Sequence, residues 1–399
     1  MALDLTKVAS QVGEMLHRLK DRNDQRKEHL LQALNALHRS NAEFERLKKK
    51  IDASKTTWLV AALVEEPGTT YPQPPLPAEF TVVASDGSHI DVDRHHGARC
   101  YLINTGGVTL HYGAKPNAEL DSQPRLYDAD EDMVVVPPDG KGRDQMVEGG
   151  LLSIKRGVEE CRCLTSLAVA QPAGSSVIAL LDGSLILWGL EAFPDFVTDI
   201  FLFKGFLAHL DTMRKLNTDR TLAVASYISL PRSADVVNAM RLSLCPHETV
   251  DSDRMCQDCG TKECETVAGV LDRELFSRVL KPGERSALFI SQSSVVKKHY
   301  GENRVNFFYL RLDDEVARVE IPQWVAQDER LLNLTHTLII DQCKRGHGYP
   351  VALSEAHEQA VITGVDREDF WQLVEALQSE EHLPALTSAK SYSKSTRWV

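Results

Sequence analysis

Two short segments of the sequence carry residue types that could hold a cation. Val82-Val83-Ala84-Ser85-Asp86-Gly87-Ser88 is an apolar, β-branched run that meets an acid, a glycine and a serine. Later in the chain Val177-Ile178-Ala179-Leu180-Leu181-Asp182-Gly183-Ser184 repeats the pattern. Each reads as a buried strand delivering its aspartate to the strand end, with glycine allowing a sharp turn. Two such strands side by side would cluster Asp86 and Asp182 at one sheet edge. Clustered carboxylates repel, and a cation between them removes the repulsion. A divalent-metal site is therefore the first hypothesis. The alternative is two ordinary Asp-Gly turns, a dipeptide common at strand ends.

Other acids and a histidine extend this set. Glu159 and Glu160 sit in the middle of a helical pattern beside Arg156, and one of them should face the strand ends. His357 lies in Ser354-Glu355-Ala356-His357-Glu358, a helix that Pro350 opens at the position where a missing N–H costs least. Most of the fourteen histidines must be structural or solvated, so His357 gains weight only beside the acids. Oxygen ligands favour Mg²⁺ or Mn²⁺, and an imidazole shifts the preference toward Mn²⁺. In two-metal phosphoryl hydrolysis, cations about 4 Å apart activate a water and stabilise the leaving oxygen.

A second set is sulfur-rich. Cys245-x10-Cys256-x2-Cys259-x4-Cys264, with His247 nearby, suggests thiolate ligation of zinc or an iron–sulfur cluster. Closed four-thiolate ligation would be structural rather than catalytic. The alternative is free or redox-labile thiols on an insertion.

The elements that must position these residues can be read from periodicity. Residues 4 to about 52 read as a long helix, interrupted at the polar segment Lys20 to Lys27. The proline-rich stretch Glu65 to Pro77 separates this arm from the main domain. Phe80–Ser85, Cys100–Ile103 and Val108–Tyr112 read as a strand meander with Gly106-Gly107 at a turn, and Met133–Val136 as a further strand. Helical spacing runs from Met146 to Ala170 and again from about Phe193 to Asn217. Strands are expected at Leu222–Ile228, Ala287–Ser291, Val305–Leu310 and Ala317–Pro322, and a helix at Leu331–Cys343. The result is an α/β fold with an N-terminal helical arm (1–65), a main domain (79–380) carrying the Cys-rich insertion (245–264), and a Ser- and Lys-rich tail (386–399).

Composition narrows the function classes. The 399 residues are 43% hydrophobic and 26% charged, enough for a sizeable core. No run of about eighteen apolar residues exists to span a membrane, and the N-terminus lacks a signal-peptide pattern. A cytoplasmic location with reduced thiols is the expectation. The net charge of −12 argues against a surface coated for nucleic acid, although a local basic channel remains compatible with it. Lys48-Lys49-Lys50 reads as a solvated helix end, and Arg232 and Lys344-Arg345 as candidate phosphate contacts or plain surface charge. No Walker loop, dinucleotide fingerprint or nucleophile elbow is present.

The chain resembles the NurA nuclease family. The resemblance rests on Ala84-Ser85-Asp86-Gly87-Ser88, Leu181-Asp182-Gly183-Ser184-Leu185 and Tyr227-Ile228-Ser229-x-Pro231-Arg232-Ser233. It continues through Phe308-Tyr309-Leu310-Arg311, Arg318-Val319-Glu320-Ile321-Pro322-x-Trp324 and Gly348-Tyr349-Pro350-x-x-Leu353-x-x-Ala356-His357. It implies an RNase H-like mixed sheet flanked by helices and manganese-dependent DNA cleavage. It also implies metal-binding roles for Asp86, Glu159 and Asp182, with His357 at the metal or scissile phosphate and Tyr349 close by. Glu159 is preferred to Glu160 from the Arg156-x-x-Glu159 pattern. The resemblance further implies a homodimer that threads DNA, single-stranded or at duplex ends, and docks on a HerA-type hexameric ATPase. The cysteine set departs from the family pattern.

The expectation is a metal-dependent deoxyribonuclease acting in end resection, as a 5′–3′ exonuclease and single-strand endonuclease. Its main rival is a non-catalytic interaction subunit of a DNA-processing complex. A two-carboxylate glycoside hydrolase needs an aromatic-lined cleft, which 7% aromatics with none clustered beside either Asp-Gly-Ser do not supply.

Overall fold

The computed structural model of the chain describes residues 4–93 and 97–383. The principal helices are α1 (Leu5–Ala42), α2 (Phe44–Ala53), α3 (Gly150–Val169), α4 (Leu207–Lys215), α5 (Asp235–Leu244), α6 (Asp272–Val279), α7 (Glu329–Arg345), α8 (Val351–Ala360) and α9 (Gly364–Glu380). The principal strands are β1 (Phe80–Ile90), β2 (Tyr101–Tyr112), β3 (Asn117–Tyr127), β4 (Ser176–Asp182), β5 (Thr221–Ile228), β6 (Val305–Arg311) and β7 (Val316–Pro322). The chain is mixed α/β, and it divides into two compact units that do not follow chain order. One takes its residues from Met1–Gln73, Ile228–Lys297 and Arg304–Glu320; the other from Pro74–Tyr227, Lys298–Asn303 and Ile321–Val399. The tail expected at 386–399 lies outside the described residues.

The second unit is built on a sheet of order β3-β2-β1-β4-β5. Its first three strands form an antiparallel meander, and β4 and β5 run parallel to β1. Parallel strands covered on both faces read as continuous apolar runs, and Val177–Leu181 and Leu222–Ala225 are buried at every position. Helix α3 connects β3 to β4 and buries Leu151, Leu152, Cys161, Leu164 and Ala168. Strand β3 is the opposite case, exposed at every residue but Tyr127. It is a polar, Pro-containing edge strand, a composition that discourages edge-to-edge pairing; its Ala118, Leu120 and Leu126 alternate with polar residues, but Pro124 inside the run reads against a strand.

The structure departs from expectation at several elements. Gly106-Gly107 is no turn: both lie inside the continuous strand β2. Gly87 likewise lies inside β1, which pairs with β2 as far as Ile90. The polar segment Lys20 to Lys27 does not break α1, because a solvated helix tolerates polar residues; the break falls at Glu43 (φ −110°, ψ 25°). The Met133–Val136 strand is a short helix, Asp130–Met133, followed by a two-residue strand. The helix expected from Phe193 to Asn217 contains a π-helical stretch, Asp199–Phe206, before α4.

In the first unit the order Ala62–Leu63, Phe289–Ile290, β6, β7 forms the sheet. Its core gathers Ala33 and Leu37 from α1, Met240 from α5, Phe276 from α6, and Phe307 and Tyr309 from β6. Within it Arg318 reaches Asp235 Oδ2 and Glu320 Oε1, both at 2.9 Å, and lies 3.7 Å from the Phe307 ring centroid. Buried charges persist when paired in this way. The Arg318-Val319-Glu320 motif is thus part of a core ion network.

Candidate metal centre

Strands β1 and β4 pair in parallel register up to Ser85 opposite Leu181. Asp86 and Asp182 are the next residue on each, at the point where that pairing stops. Strand β1 continues along β2, where Asp86 stands opposite Gly106. Gly106 has no side chain, and helix α8 occupies the space. A Cβ there would lie 2.2 Å from the Ala356 carbonyl oxygen and 2.7 Å from the Ala360 nitrogen. The helix is fixed by the Asn104 amide, which donates to the carbonyls of Gln359 (3.1 Å) and Ala360 (3.0 Å). So seated, α8 places His357 Nδ1 2.8 Å from Asp86 Oδ2, while its side chain stays 61% exposed.

The opposite face of β1 receives α3. Ser85 Oγ donates to the Glu160 carbonyl at 2.8 Å. A Cβ on Gly87 would lie 2.7 Å from Glu160 Oε1, so the glycine is what admits this carboxylate. Glu160 Oε1 lies 3.0 Å from Arg156 Nε, but the pair is misaligned and both atoms are buried without a hydrogen bond. Desolvation pushes the Glu160 carboxyl up to about 7; Arg156 opposes this, and Asp86 and Asp182 add to it. Desolvation also raises the Asp182 carboxyl, with Asp86 adding and a hydrogen bond from Tyr349 opposing. Burial holds the Tyr349 hydroxyl protonated, as a donor to Asp182. Its ring stands edge-on to Tyr227 at 5.5 Å between centroids.

Asp86, Asp182, Tyr349 and His357 are therefore brought into one neighbourhood. Glu159 is not: its Oε2 accepts from Arg162 Nε at 2.6 Å, on the side of α3 where it acts on Lys155, Tyr101 and Tyr127. The carboxylate that α3 delivers to the aspartates is Glu160. A signal for it existed in the sequence. Glu160, Leu164 and Leu167 share one helix face, and Leu167 with Cys163 packs against Gly107 of β2. Of the candidate phosphate contacts, Arg345 is engaged by Asp341 at 2.7 Å and lies over the Tyr112 ring. Arg232 is exposed in the first unit.

Among the described residues, no three His, Cys, Asp or Glu side chains are gathered closely enough to hold a metal ion. The donor set nonetheless fits a hard cation. Asp86 and Asp182, from two strands, act electrostatically on Glu160 from α3, and Glu160 Oε1 is a buried acceptor without a hydrogen bond. A divalent ion bound there would relieve both the crowding and the orphaned oxygen.

A family model described as the NurA domain matches residues 80–362. No curated protein matches the chain. Two solved structures align weakly. Argonaute of Aquifex aeolicus is 11% identical with a TM-score of 0.27, over 70% of this chain and 28% of that one. The C-terminal lobe of a budding yeast Argonaute is 10% identical with a TM-score of 0.26, over 77% and 52% respectively. The chain spans less than a third of the first and about half of the second.

Proposed function

The chain belongs to the NurA family, and on that premise we propose that it is a divalent-metal-dependent DNA nuclease with an RNase H-like nuclease core. The observation that carries this reading is that Asp86, where β1 and β4 cease to pair, acts electrostatically on both Glu160 and Asp182, each of which is raised. The strand order agrees with it: an antiparallel meander of three, then two strands parallel to the first.

Asp86, Glu160 and Asp182 would hold Mn²⁺ or Mg²⁺, which lowers the pKa of a bound water and offsets phosphate charge. The protein's own groups do the rest. With Asp86 accepting from Nδ1–H, His357 presents Nε2 outward as an acceptor that can contact substrate or carry a proton. Tyr349, as a protonated donor, orients Asp182. Arg156 offsets charge at Glu160. The finer activity we propose is 5′–3′ exonuclease and single-strand endonuclease cutting in DNA end resection. The chain would act as a cytoplasmic homodimer beside a HerA-type translocase.

The test is cleavage of end-labelled single- and double-stranded DNA with Mn²⁺, with Mg²⁺ and with chelator, beside Asp86→Asn. Metal-dependent cutting that the variant loses by at least about 100-fold is the expected outcome. A variant that cuts at the wild-type rate removes Asp86 from the mechanism. No cutting under any condition, with a HerA-type motor present, leaves the non-catalytic interaction subunit.

A further inference from the structure

We propose that Cys245, Cys256, Cys259 and Cys264 form a closed structural Zn²⁺ site in the first unit. Cys245 is the C-cap of α5, and Cys264 lies in the short 3₁₀ turn Glu263–Val267. Cys256 and Cys259, two residues apart in linker length, come from the loop between them. All four line one pocket, which Trp58 and Arg241 also line. All four are free thiols.

Cys259 already has the surroundings of a metal-bound thiolate. Its sulfur accepts hydrogen bonds from the backbone N–H groups of Thr261 and Lys262, and Thr261 Oγ1 lies 3.6 Å away. Lys262, a non-glycine residue, adopts the left-handed conformation (φ 45°) in making that turn. Such a conformation persists where the surroundings over-determine it.

Two further features point to negative charge in the pocket. Trp58 Nε1 and Arg241 Nε are buried donors with no hydrogen-bond partner, and Arg241 stacks over Trp58 at 4.3 Å. Lys50 stands beside Cys245, its Nζ 2.5 Å from the Cys245 carbonyl oxygen. Zn²⁺ displaces four thiol protons, Zn²⁺ + 4 RSH giving Zn(SR)₄²⁻ + 4 H⁺, and Lys50, Arg241 and Lys262 offset the dianion. Binding draws the sulfurs from their present separation to about 2.3 Å from the ion. The loop is polar and partly exposed, so it can close at little cost in packing. Four soft ligands leave no open position, which makes the site a staple and not a catalyst. The loop it closes is anchored to the core through Val250, Val267 and Val270.

The test uses the full chain as purified, with zinc measured before and after a thiol-specific mercurial. About one zinc per chain is expected, released by the mercurial, unchanged in Asp86→Asn and absent in Cys259→Ser. Because that variant could misfold, the metal-stripped wild type is also titrated with Co²⁺. Sulfur-to-cobalt charge transfer with tetrahedral ligand-field bands supports the site. A chain without zinc, whose four thiols react equally fast with and without chelator, overturns the proposal. So does iron with visible absorption, which would assign a cluster instead.

Discussion

At the scale of the residue, Glu159 and Glu160 are neighbours in sequence and opposite in environment. Both side chains are mostly covered, but Glu159 is satisfied by Arg162, whereas Glu160 feels two aspartates and has its carboxyl pushed up to about 7. Glu160→Gln should lower metal-dependent cleavage by about 100-fold or more, and Glu159→Gln by less than about threefold. Equal losses in the two variants would contradict the assignment. The same carboxyl predicts a pH signature in the metal-free protein. Its ordinary value is 4.5 and its folded value about 7, so the folded state binds more protons between those limits. Stability therefore falls as pH rises from 4.5 through 7 and is flat beyond. Glutamine cannot ionise, so Glu160→Gln should gain on the wild type by up to about 3 kcal/mol at pH 8, with the gap closing near pH 4. Urea unfolding with chelator measures this. A gap that does not change with pH would show that Glu160 is not held above its ordinary value.

At the scale of the element, the site depends on how closely two helices approach one strand pair. Gly106→Val forces a side chain against the Ala356 carbonyl and the Ala360 nitrogen, backbone atoms that cannot rotate away. Helix α8 must shift, at about 1–3 kcal/mol, and His357 leaves Asp86. Gly107→Ala meets only the Cys163 sulfur and the Leu167 methyls at 3.2 Å or more, side-chain ends that can give way. Melting temperature and cleavage should both drop for the first variant and barely move for the second; the reverse order would place α8 elsewhere. The pair also marks what the sequence conceals. The apolar runs of β1, β4, β5 and β6 were legible because burial on both faces demands them, and β7 by its alternation of Val319 and Ile321 with Arg318 and Glu320. Asp86 and Asp182 were legible as the acids that end such runs. A glycine pair inside a strand, by contrast, reads as a turn until the helix that needs the space is known. Strand β3 alternates Ala118, Leu120 and Leu126 with polar residues, but Pro124 inside the run reads against a strand, and its exposure leaves no core face to demand it. Glu159 and Glu160 differ only by about 100° around α3, which a single sequence separates only if Leu164 and Leu167 are taken as the buried face.

At the scale of the whole molecule, helix α1 divides into two halves with different work. From Leu30 onward one face of it enters the first unit's core through Leu30, Ala33, Leu34, Ala36 and Leu37, with Ala33, Ala36 and Leu37 buried and Leu31 left in solvent. Just before that, Arg26 is clamped to Glu274 of α6 by two bonds of 2.6 and 2.8 Å. Ahead of Arg26 the helix carries Leu5, Val8, Val12, Met15 and Leu19, a 3-4-3-4 spacing that lines one seam. Leu5 is 69% exposed, and Val12, Met15, Leu16 and Leu19 are also open to solvent. A lone helix has no reason to keep such a seam in water, whereas two copies wound together would bury it over about 20 Å. The proposed homodimer should therefore depend on this half of α1, while the fold of each protomer should not. Deleting the residues before Asp24 keeps the Arg26–Glu274 clamp and the entire buried half. The truncated chain should melt within about 2 °C of the full chain at equal protomer concentration once the dimer's contribution is dissociated by dilution. Light scattering should show its mass halved. A truncated chain that still runs as a dimer would move the interface elsewhere, and a full chain that is monomeric at every concentration would remove the dimer itself.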